Sequence, residues 1–253
     1  MKYACISSGS EGNSTLISSG ETNILVDCGI TKKKLTERLN QVNCSINELD
    51  RLLITHTHSD HVKGIKFIQE DKWMSRVDVL GQPLNEEQYF YPYKTFKIKD
   101  ISVTPLPLSH DAKDTTGFLF DDGKESLVYI TDTGYIKEKV MKLISDKTYY
   151  IFESNHDAKM LYESDRSAYL ISRIHSDIGH LDNIESATYL SSLIGKDTKE
   201  VTLAHLSEEC NTPELALESF QKVMVAQLGY LPHVLLRCAS IENLLTGGDH
   251  LKK

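Results

Sequence analysis

Short apolar and β-branched runs, bounded by glycine, proline or polar residues, recur along the chain and predict β-strands. These runs occupy residues 3–7, 14–17, 23–27, 51–55, 77–80, 95–98, 101–106, 117–120, 127–131, 149–153, 201–204 and 233–238, the last predicted strand. Segments of helical pattern predict helices over residues 32–42, 137–145, 164–175, 183–194 and 214–228. Residues 51–55 lead into a polar loop, which a helix-like segment follows.

The order of strands, helices, strands and helices predicts an α/β protein. Two mixed β-sheets packed face to face, with helices outside, would form a four-layer αββα sandwich. No internal repeat, low-complexity tract or Pro/Gly-rich linker divides the sequence, so we expect a single domain over residues 1–253. The chain is 40% hydrophobic, which suffices for one large core.

The polar loop holds three imidazoles and one carboxylate within six residues, His56-Thr57-His58-Ser59-Asp60-His61. These groups are usual protein ligands for zinc and similar ions. One ion rarely needs four ligands from one loop, whereas two adjacent ions would. In an extended segment His56 and His58 share a side and suit one ion. Asp60 and His61, at the turn into the helix, suit a second ion.

Three further residues of ligand type follow predicted strands: His110, Asp132 and His205. Functional groups tend to cluster in the segments that follow strands in layered folds. Each residue taken alone also fits a turn or capping role. Taken together with the polar loop, they predict a metal centre that is closed by distant parts of the chain.

Composition limits the class of protein. The five cysteines are odd in number and form no Cys-x-x-Cys pair, which disfavours a disulfide framework and a sulfur-bound zinc site. We see no signal peptide and no apolar run of the ~20 residues that span a bilayer, so we expect a cytoplasmic protein with no membrane partner. The net charge of −8 restricts any binding of a polyanion to a local patch or to bound metals.

The His-x-His-x-Asp-His loop, His110, the Thr-Asp-Thr-Gly around Asp132 and the final His205 resemble the metallo-β-lactamase superfamily over almost the whole chain. The resemblance implies His56, His58 and His110 on one divalent ion. It implies Asp60, His61 and His205 on the other, with Asp132 bridging both. Asp27 resembles the family's buried carboxylate that supports the metal loop. The ions would be Zn²⁺ or Mn²⁺, with iron as a further candidate.

Local sequence is similar to the YycJ/WalJ-like subgroup of this family. The similar segments are Ser8-Gly9-Ser10-Glu11-Gly12-Asn13-Ser14, Glu153-Ser154-Asn155-His156-Asp157, Gly179-His180-Leu181-Asp182-Asn183 and Ala204-His205-Leu206-Ser207. The subgroup implies a phosphodiesterase with 5′-to-3′ exonuclease activity on DNA and a link to DNA repair. One departure is visible, because Asp182 stands where we expected a serine.

The implied nucleophile is a hydroxide that bridges the two metals, and Asp60 would help to handle its proton. His180 resembles a histidine of ribonuclease Z-like enzymes and is our candidate for assisting the leaving group. A helix-entry histidine bonded to backbone is the alternative for that position. Asn13 and Ser207 are candidate phosphate contacts, with turn formation as the alternative for both.

Two other functions remain open at this stage. A thioester or lactone hydrolase would use the same ligands to activate a carbonyl, because fold does not settle function. A non-catalytic binding module predicts missing ligands, and none of the expected ligands is missing. Oligomeric state is not predicted by the sequence.

Overall fold

A computed structural model describes residues 1–248 of the chain, and residues 249–253 of the predicted domain lie outside the described residues. The strands are β1 (Lys2–Ser7), β2 (Ser14–Ser19), β3 (Thr22–Val26), β4 (Arg51–Leu53), β5 (Trp73–Met74), β6 (Phe96–Ile98), β7 (Ile101–Pro107), β8 (Thr116–Asp121), β9 (Ser126–Ile130), β10 (Tyr149–Glu153), β11 (Glu200–Ala204), β12 (Leu235–Cys238) and β13 (Leu245–Gly248). The helices are α1 (Lys32–Gln41), α2 (Ser59–Val62), α3 (Glu138–Ile144), α4 (Ala158–Glu163), α5 (Ala168–Ile174), α6 (Asn183–Leu193) and α7 (Pro213–Leu228).

The strands form two mixed sheets, as the sequence predicts. The six-stranded sheet has the order β13-β1-β2-β3-β4-β5, and the seven-stranded sheet has the order β12-β11-β10-β9-β8-β7-β6. In the first sheet, β1, β2 and β3 are antiparallel, whereas β3, β4 and β5 are parallel. In the second sheet, β6, β7 and β8 are antiparallel, whereas β9 to β12 are parallel.

The chain clusters into two compact units, and the single-domain assignment stays a prediction. The first unit comprises residues 1–107, residues 112–126 and the segment from residue 239, and the second unit comprises residues 108–111 and 127–238. The first unit has a core in which Leu25, Leu52 and Ile54 are fully buried. Within residues 1–248, no helix combines the length and the apolar character needed to cross a membrane.

Each unit aligns the carboxyl ends of parallel strands at one sheet edge. In the first unit, Val26 at the end of β3 is in register with Leu53 at the end of β4, so Asp27 and the polar loop start side by side. In the second unit, Phe152 is in register with Ile130, and Glu153 is in register with Ala204. The residues that follow β9, β10 and β11 therefore lie at the same edge.

The structure corrects three of the predicted elements. Residues 77–80 are not a strand, because Leu80 and Gly81 both have positive φ and form a turn closed by a bridge between Val79 and Gln82. The predicted helix over residues 164–175 is the shorter helix α5, which begins only at Ala168 because the Ser167 side chain caps it. The preceding residues belong to a separate helix that was not predicted, α4, which Asp157 caps and which ends at Glu163. The last strand is not at 233–238, because β13 follows and pairs with β1.

Candidate metal centre

The polar loop follows β4 and is held by the backbone of neighbouring loops in the first unit. The amide of Asn13 donates to the carbonyl of Asp60 over 2.8 Å, and the amide of Cys28 donates to the carbonyl of His61 over 2.9 Å. A Cβ on Gly29 would lie 1.5 Å from the carbonyl oxygen of Asp60, so the glycine permits this close approach. His58 is the residue that precedes the single-turn helix α2, which carries Asp60 and His61.

Asp27 orients the polar loop through hydrogen bonds with Thr55 and His61. It is fully buried, and its Oδ1 accepts from the Thr55 amide over 2.9 Å. Its Oδ2 lies 2.8 Å from the Thr55 hydroxyl and 2.7 Å from His61 Nδ1. Burial raises the pKa of Asp27, and the opposing effect of His61 and Thr55 offsets that rise in part. Metal-binding histidines commonly donate one ring nitrogen to a carboxylate, and in this arrangement His61 donates from Nδ1 and keeps a lone pair on Nε2.

The ligand-type atoms of this loop converge within the first unit. His61 Nε2 lies 3.2 Å from Asp60 Oδ2. The ring centroid of His56 lies 4.1 Å from that of His61 and 4.6 Å from that of His58. The four predicted ligands of the loop are therefore neighbours, as expected from the spacing of the motif.

Asn13 lies beside this group and is buried. Its Nδ2 lies 3.2 Å from Asp60 Oδ2, 3.1 Å from His61 Nε2 and 3.0 Å from the Gly9 carbonyl. These contacts place Asn13 where it supports the side chains of Asp60 and His61. Contact with a phosphate remains a prediction for this residue.

Glu153, at the end of β10, is the centre of a second polar network, in the second unit. Its carboxylate is fully buried and accepts from the amides of Asp132 (3.1 Å), Thr133 (2.8 Å) and Leu181 (3.3 Å). It also lies 2.8 Å from His180 Nδ1 and 3.0 Å from His205 Nδ1. The sequence by itself does not predict this role for Glu153, and the one signal it offers is that Glu153 ends a buried strand beside a Ser-Asn-His-Asp motif.

The histidines set the charge of Glu153, and Glu153 sets their orientation. Burial by itself would raise the pKa of the Glu153 carboxyl, but His180 and His205 hold it well below its ordinary value. The ionised carboxylate therefore takes a proton from neither ring, and both rings donate from Nδ1. His205 Nε2 then lies 3.5 Å from Asp132 Oδ1, so a nitrogen and an oxygen of predicted ligands face each other.

His110 belongs to the same unit and is fixed by the loop that carries His180. Its Nδ1 lies 3.0 Å from the carbonyl of Gly179, which accepts from it, and its ring centroid is 5.0 Å from that of His180. Burial lowers the pKa of His110, which favours the neutral imidazole that a metal needs. The alternative for His180, a backbone-bonded side chain, does not hold, because its imidazole contacts the Glu153 carboxylate.

Three of these residues have a backbone conformation that side chains rarely adopt. Asp27, Asp132 and His205 have φ angles of 57°, 61° and 58°. Non-glycine residues in this left-handed region cost of order 1–3 kcal/mol each and cluster at functional sites. Asp27 and His205 immediately follow the parallel strands β3 and β11, and Asp132 lies two residues after β9.

Two predicted residues of the second unit occupy helix-entry or turn positions. Ser207 Oγ accepts from the amide of Cys210 over 3.2 Å, which is a turn contact, so its phosphate role stays a prediction. Asp182 is the N-cap of α6 and forms a capping box with Glu185. An aspartate caps a helix as well as a serine does, which explains how the departure from the expected motif is accommodated.

The donor set fits divalent metal ions. In each unit a buried carboxylate orients a histidine through Nδ1 and leaves Nε2 as the ligand atom: Asp27 acts on His61 and Glu153 acts on His205. Metal-binding histidines in proteins almost always have such a partner. Nitrogen and oxygen donors without thiolates suit zinc, manganese or iron.

The profile of the Beta-lactamase superfamily domain matches residues 22–205. Exodeoxyribonuclease WalJ of Streptococcus pneumoniae is 34% identical over 228 residues, which cover 85% of each chain. Exodeoxyribonuclease YycJ of Bacillus anthracis is 32% identical over 237 residues, which cover 88% of this chain and 89% of that protein.

Solved structures agree with this match. The metallo-beta-lactamase fold protein YhfI from Bacillus subtilis has a TM-score of 0.69 at 16% identity, covering 96% of this chain and 98% of that one. Human tRNase Z, short form, has a TM-score of 0.62 at 13% identity, covering 97% of this chain and 98% of that one. At these identities the likeness shows the fold alone, and it confirms the predicted fold class.

Proposed function

The chain belongs to the metallo-β-lactamase superfamily and to its YycJ/WalJ-like subgroup, and from this premise we propose that it is a metal-dependent nuclease with 5′-to-3′ exonuclease activity on DNA. The observation that carries the proposal is the identity of 34% over 85% of both chains to a protein named as an exodeoxyribonuclease. The oriented carboxylate–histidine pairs of both units support it, because they prepare ligands for metal ions.

The proposed ligands are the seven side chains that the family pattern implies. His56, His58 and His110 hold one ion. Asp60, His61 and His205 hold the other, and Asp132 bridges the two. Two bound divalent ions would supply Lewis acidity toward a phosphodiester and lower the pKa of a shared water.

Two side chains of the protein, Asp60 and His180, would transfer protons to and from the reacting groups. Asp60 accepts from Asn13 Nδ2 at Oδ2, and we assign its other oxygen to accept a proton from the attacking water. His180 is held by Glu153 through Nδ1, so in the imidazolium form, with both ring nitrogens protonated, its Nε2 would deliver a proton to the leaving oxygen. The exposed fraction of the His180 side chain is 19%, which leaves the ring accessible to substrate.

The test is digestion of duplex and single-stranded DNA oligonucleotides, labelled at the 5′ end or the 3′ end, with Zn²⁺, Mn²⁺ and Fe²⁺ supplied separately. We expect metal-dependent release of nucleotides that begins at the 5′ end and stops when a chelator is added. A lactone and a thioester serve as parallel substrates. Turnover of the lactone or the thioester without cleavage of DNA would reject the nuclease assignment in favour of a carbonyl hydrolase.

A further inference from the structure

A separate cluster of ligand-type side chains lies in the second unit where α5 ends and α6 begins. His175, Asp182 and Glu185 each offer a ligand atom, and these three atoms lie within 4.8 Å of one another. His156 is not one of these three, but it adjoins the group through His175, since His156 Nε2 lies 3.2 Å from His175 Nδ1. His156 follows β10 and pairs with Asp182 through an isolated parallel β-bridge. None of the four is among the proposed ligands of the catalytic ions.

The two imidazoles are suited to bind a cation. His156 is fully buried, and burial, followed by the charges of His175 and His180, lowers its pKa to about 4. The ring is therefore neutral at physiological pH, which is the form that binds metals. Its Nδ1 lies 3.3 Å from the side-chain oxygen of Asn155, which accepts hydrogen bonds. A neutral ring that donates from Nδ1 presents a lone pair at Nε2, toward His175.

The two carboxylates concentrate negative charge beside these imidazoles. Asp182 Oδ1 accepts from the amides of Ile184 and Glu185, and Glu185 Oε2 accepts from the amide of Asp182. Within residues 1–248, these bonds use one oxygen of each carboxylate and leave the other oxygen without a hydrogen bond. Burial, together with the charge of Asp182, raises the pKa of Glu185, so two carboxylates share a site that a cation would neutralise.

We propose that His156, His175, Asp182 and Glu185 form a further metal site, which takes a divalent transition ion of the zinc type. Zinc binds histidine nitrogen at about 2.0–2.1 Å, so two nitrogen ligands in tetrahedral geometry lie roughly 3.3 Å apart. The 3.2 Å between His156 Nε2 and His175 Nδ1 meets this spacing. A set of two imidazoles and two carboxylates is one that zinc and its neighbours bind in proteins.

The position of the cluster allows an ion to reach it from the surface and to restrain the loop that carries His180. His175 lines a surface pocket of about 350 Å³ together with Tyr162 and Ile171, which gives a hydrated ion a route to the imidazole. An ion there would tie the segment after β10 to the end of α5 and the start of α6. Residues 176–181 lie between two of its ligands and include His180, whose amide donates to the Ile174 carbonyl. The ion would therefore restrain the loop that carries His180.

Native mass spectrometry of the full chain, stripped with a chelator and equilibrated with Zn²⁺ alone, tests the proposal. We compare the parent with Asp182→Ser and Glu185→Gln, because both replacements retain the capping function of α6 while removing a charged ligand. Glu214→Gln is the matched control, since Glu214 is the acidic residue in the first turn of α7. Circular dichroism verifies that each variant is folded.

The expected result is one zinc ion fewer per chain in Asp182→Ser and in Glu185→Gln than in the parent and in the control. Equal zinc counts in all four proteins would overturn the proposal. Loss of every bound zinc ion from the two variants would also overturn it, because the site would then not be separate. The count requires no nuclease activity, so this result is independent of the proposed function.

Discussion

Replacing Glu153 by glutamine perturbs the hydrogen-bond network of the second unit at its centre. Oε1 of Glu153 faces the amide of Asp132 and the Nδ1 atoms of His180 and His205, whereas Oε2 faces the amides of Thr133 and Leu181. A carboxamide has one oxygen and one NH₂ group. Whichever way it is placed, its NH₂ group faces at least two N–H donors that lose their acceptor.

The cost follows from the number of donors left unpaired. With the oxygen on the side of the two histidines, the amides of Thr133 and Leu181 lose their partner in a fully buried site. An unsatisfied buried group costs about 1–3 kcal/mol. Two such groups give a loss of roughly 2–6 kcal/mol in the free energy of unfolding. This is a large part of the ~5–15 kcal/mol that stabilises a typical domain.

Urea unfolding of the metal-free protein, followed by circular dichroism, measures this loss. Glu138→Gln is the control for the same change of side chain, because Glu138 is exposed and its ion pair with Lys142 is a surface pair that adds little stability. We expect a clearly larger loss for Glu153→Gln than for this control. A free energy of unfolding for Glu153→Gln within about 0.5 kcal/mol of the parent would refute the reasoning, since such small changes are typical of surface positions.

Three further predictions test the site and its surroundings. Asp132→Ala abolishes nuclease turnover while circular dichroism shows a largely intact fold; near-parental turnover would reject its bridging role. His180→Ala slows cleavage about 10²–10⁴-fold, the usual contribution of a positioned proton donor, with bound metal unchanged by mass spectrometry. A large loss of metal would instead make it a ligand. For Asp122, burial raises the pKa, but hydrogen bonds from the amide of Glu125, the Ser19 hydroxyl and the amide of Lys124 outweigh it and lower that pKa to about 2. The stability that ionised Asp122 adds is complete above its ordinary value of 3.8 and is lost as the pH falls toward the folded-state value. Asp122→Asn therefore lowers the urea midpoint at neutral pH, and this difference shrinks in acid; a difference that does not depend on pH would contradict the assignment.

Much of the fold could be predicted from local pattern. The strand at 149–153 was predicted at its observed bounds, because five consecutive buried residues leave no polar interruption. The helix at 214–228 was predicted to within one residue, since Thr212 caps it and Pro213 begins it. The polar loop was interpretable because its ligand types are adjacent in sequence, so no tertiary information was needed to group His56, His58, Asp60 and His61.

Other features depend on contacts between distant residues and could not be predicted. Glu153 gains its role from donors that lie as far away in sequence as Asp132 and His205, a separation that no local pattern records. The strand β13 has four residues, two of them glycine, and is defined by pairing with β1. The departure at Asp182 was visible in the sequence, but its neighbours His156 and His175 were identified only when the fold brought them together.

A crystal structure of the zinc-loaded protein, with anomalous scattering measured at the zinc edge, tests whether the seven proposed ligands bind a pair of ions. We predict two adjacent peaks at these side chains. One lies within bonding distance of His56, His58 and His110, the other within bonding distance of Asp60, His61 and His205, and Asp132 contacts both. A map without a peak among these seven side chains would contradict this prediction.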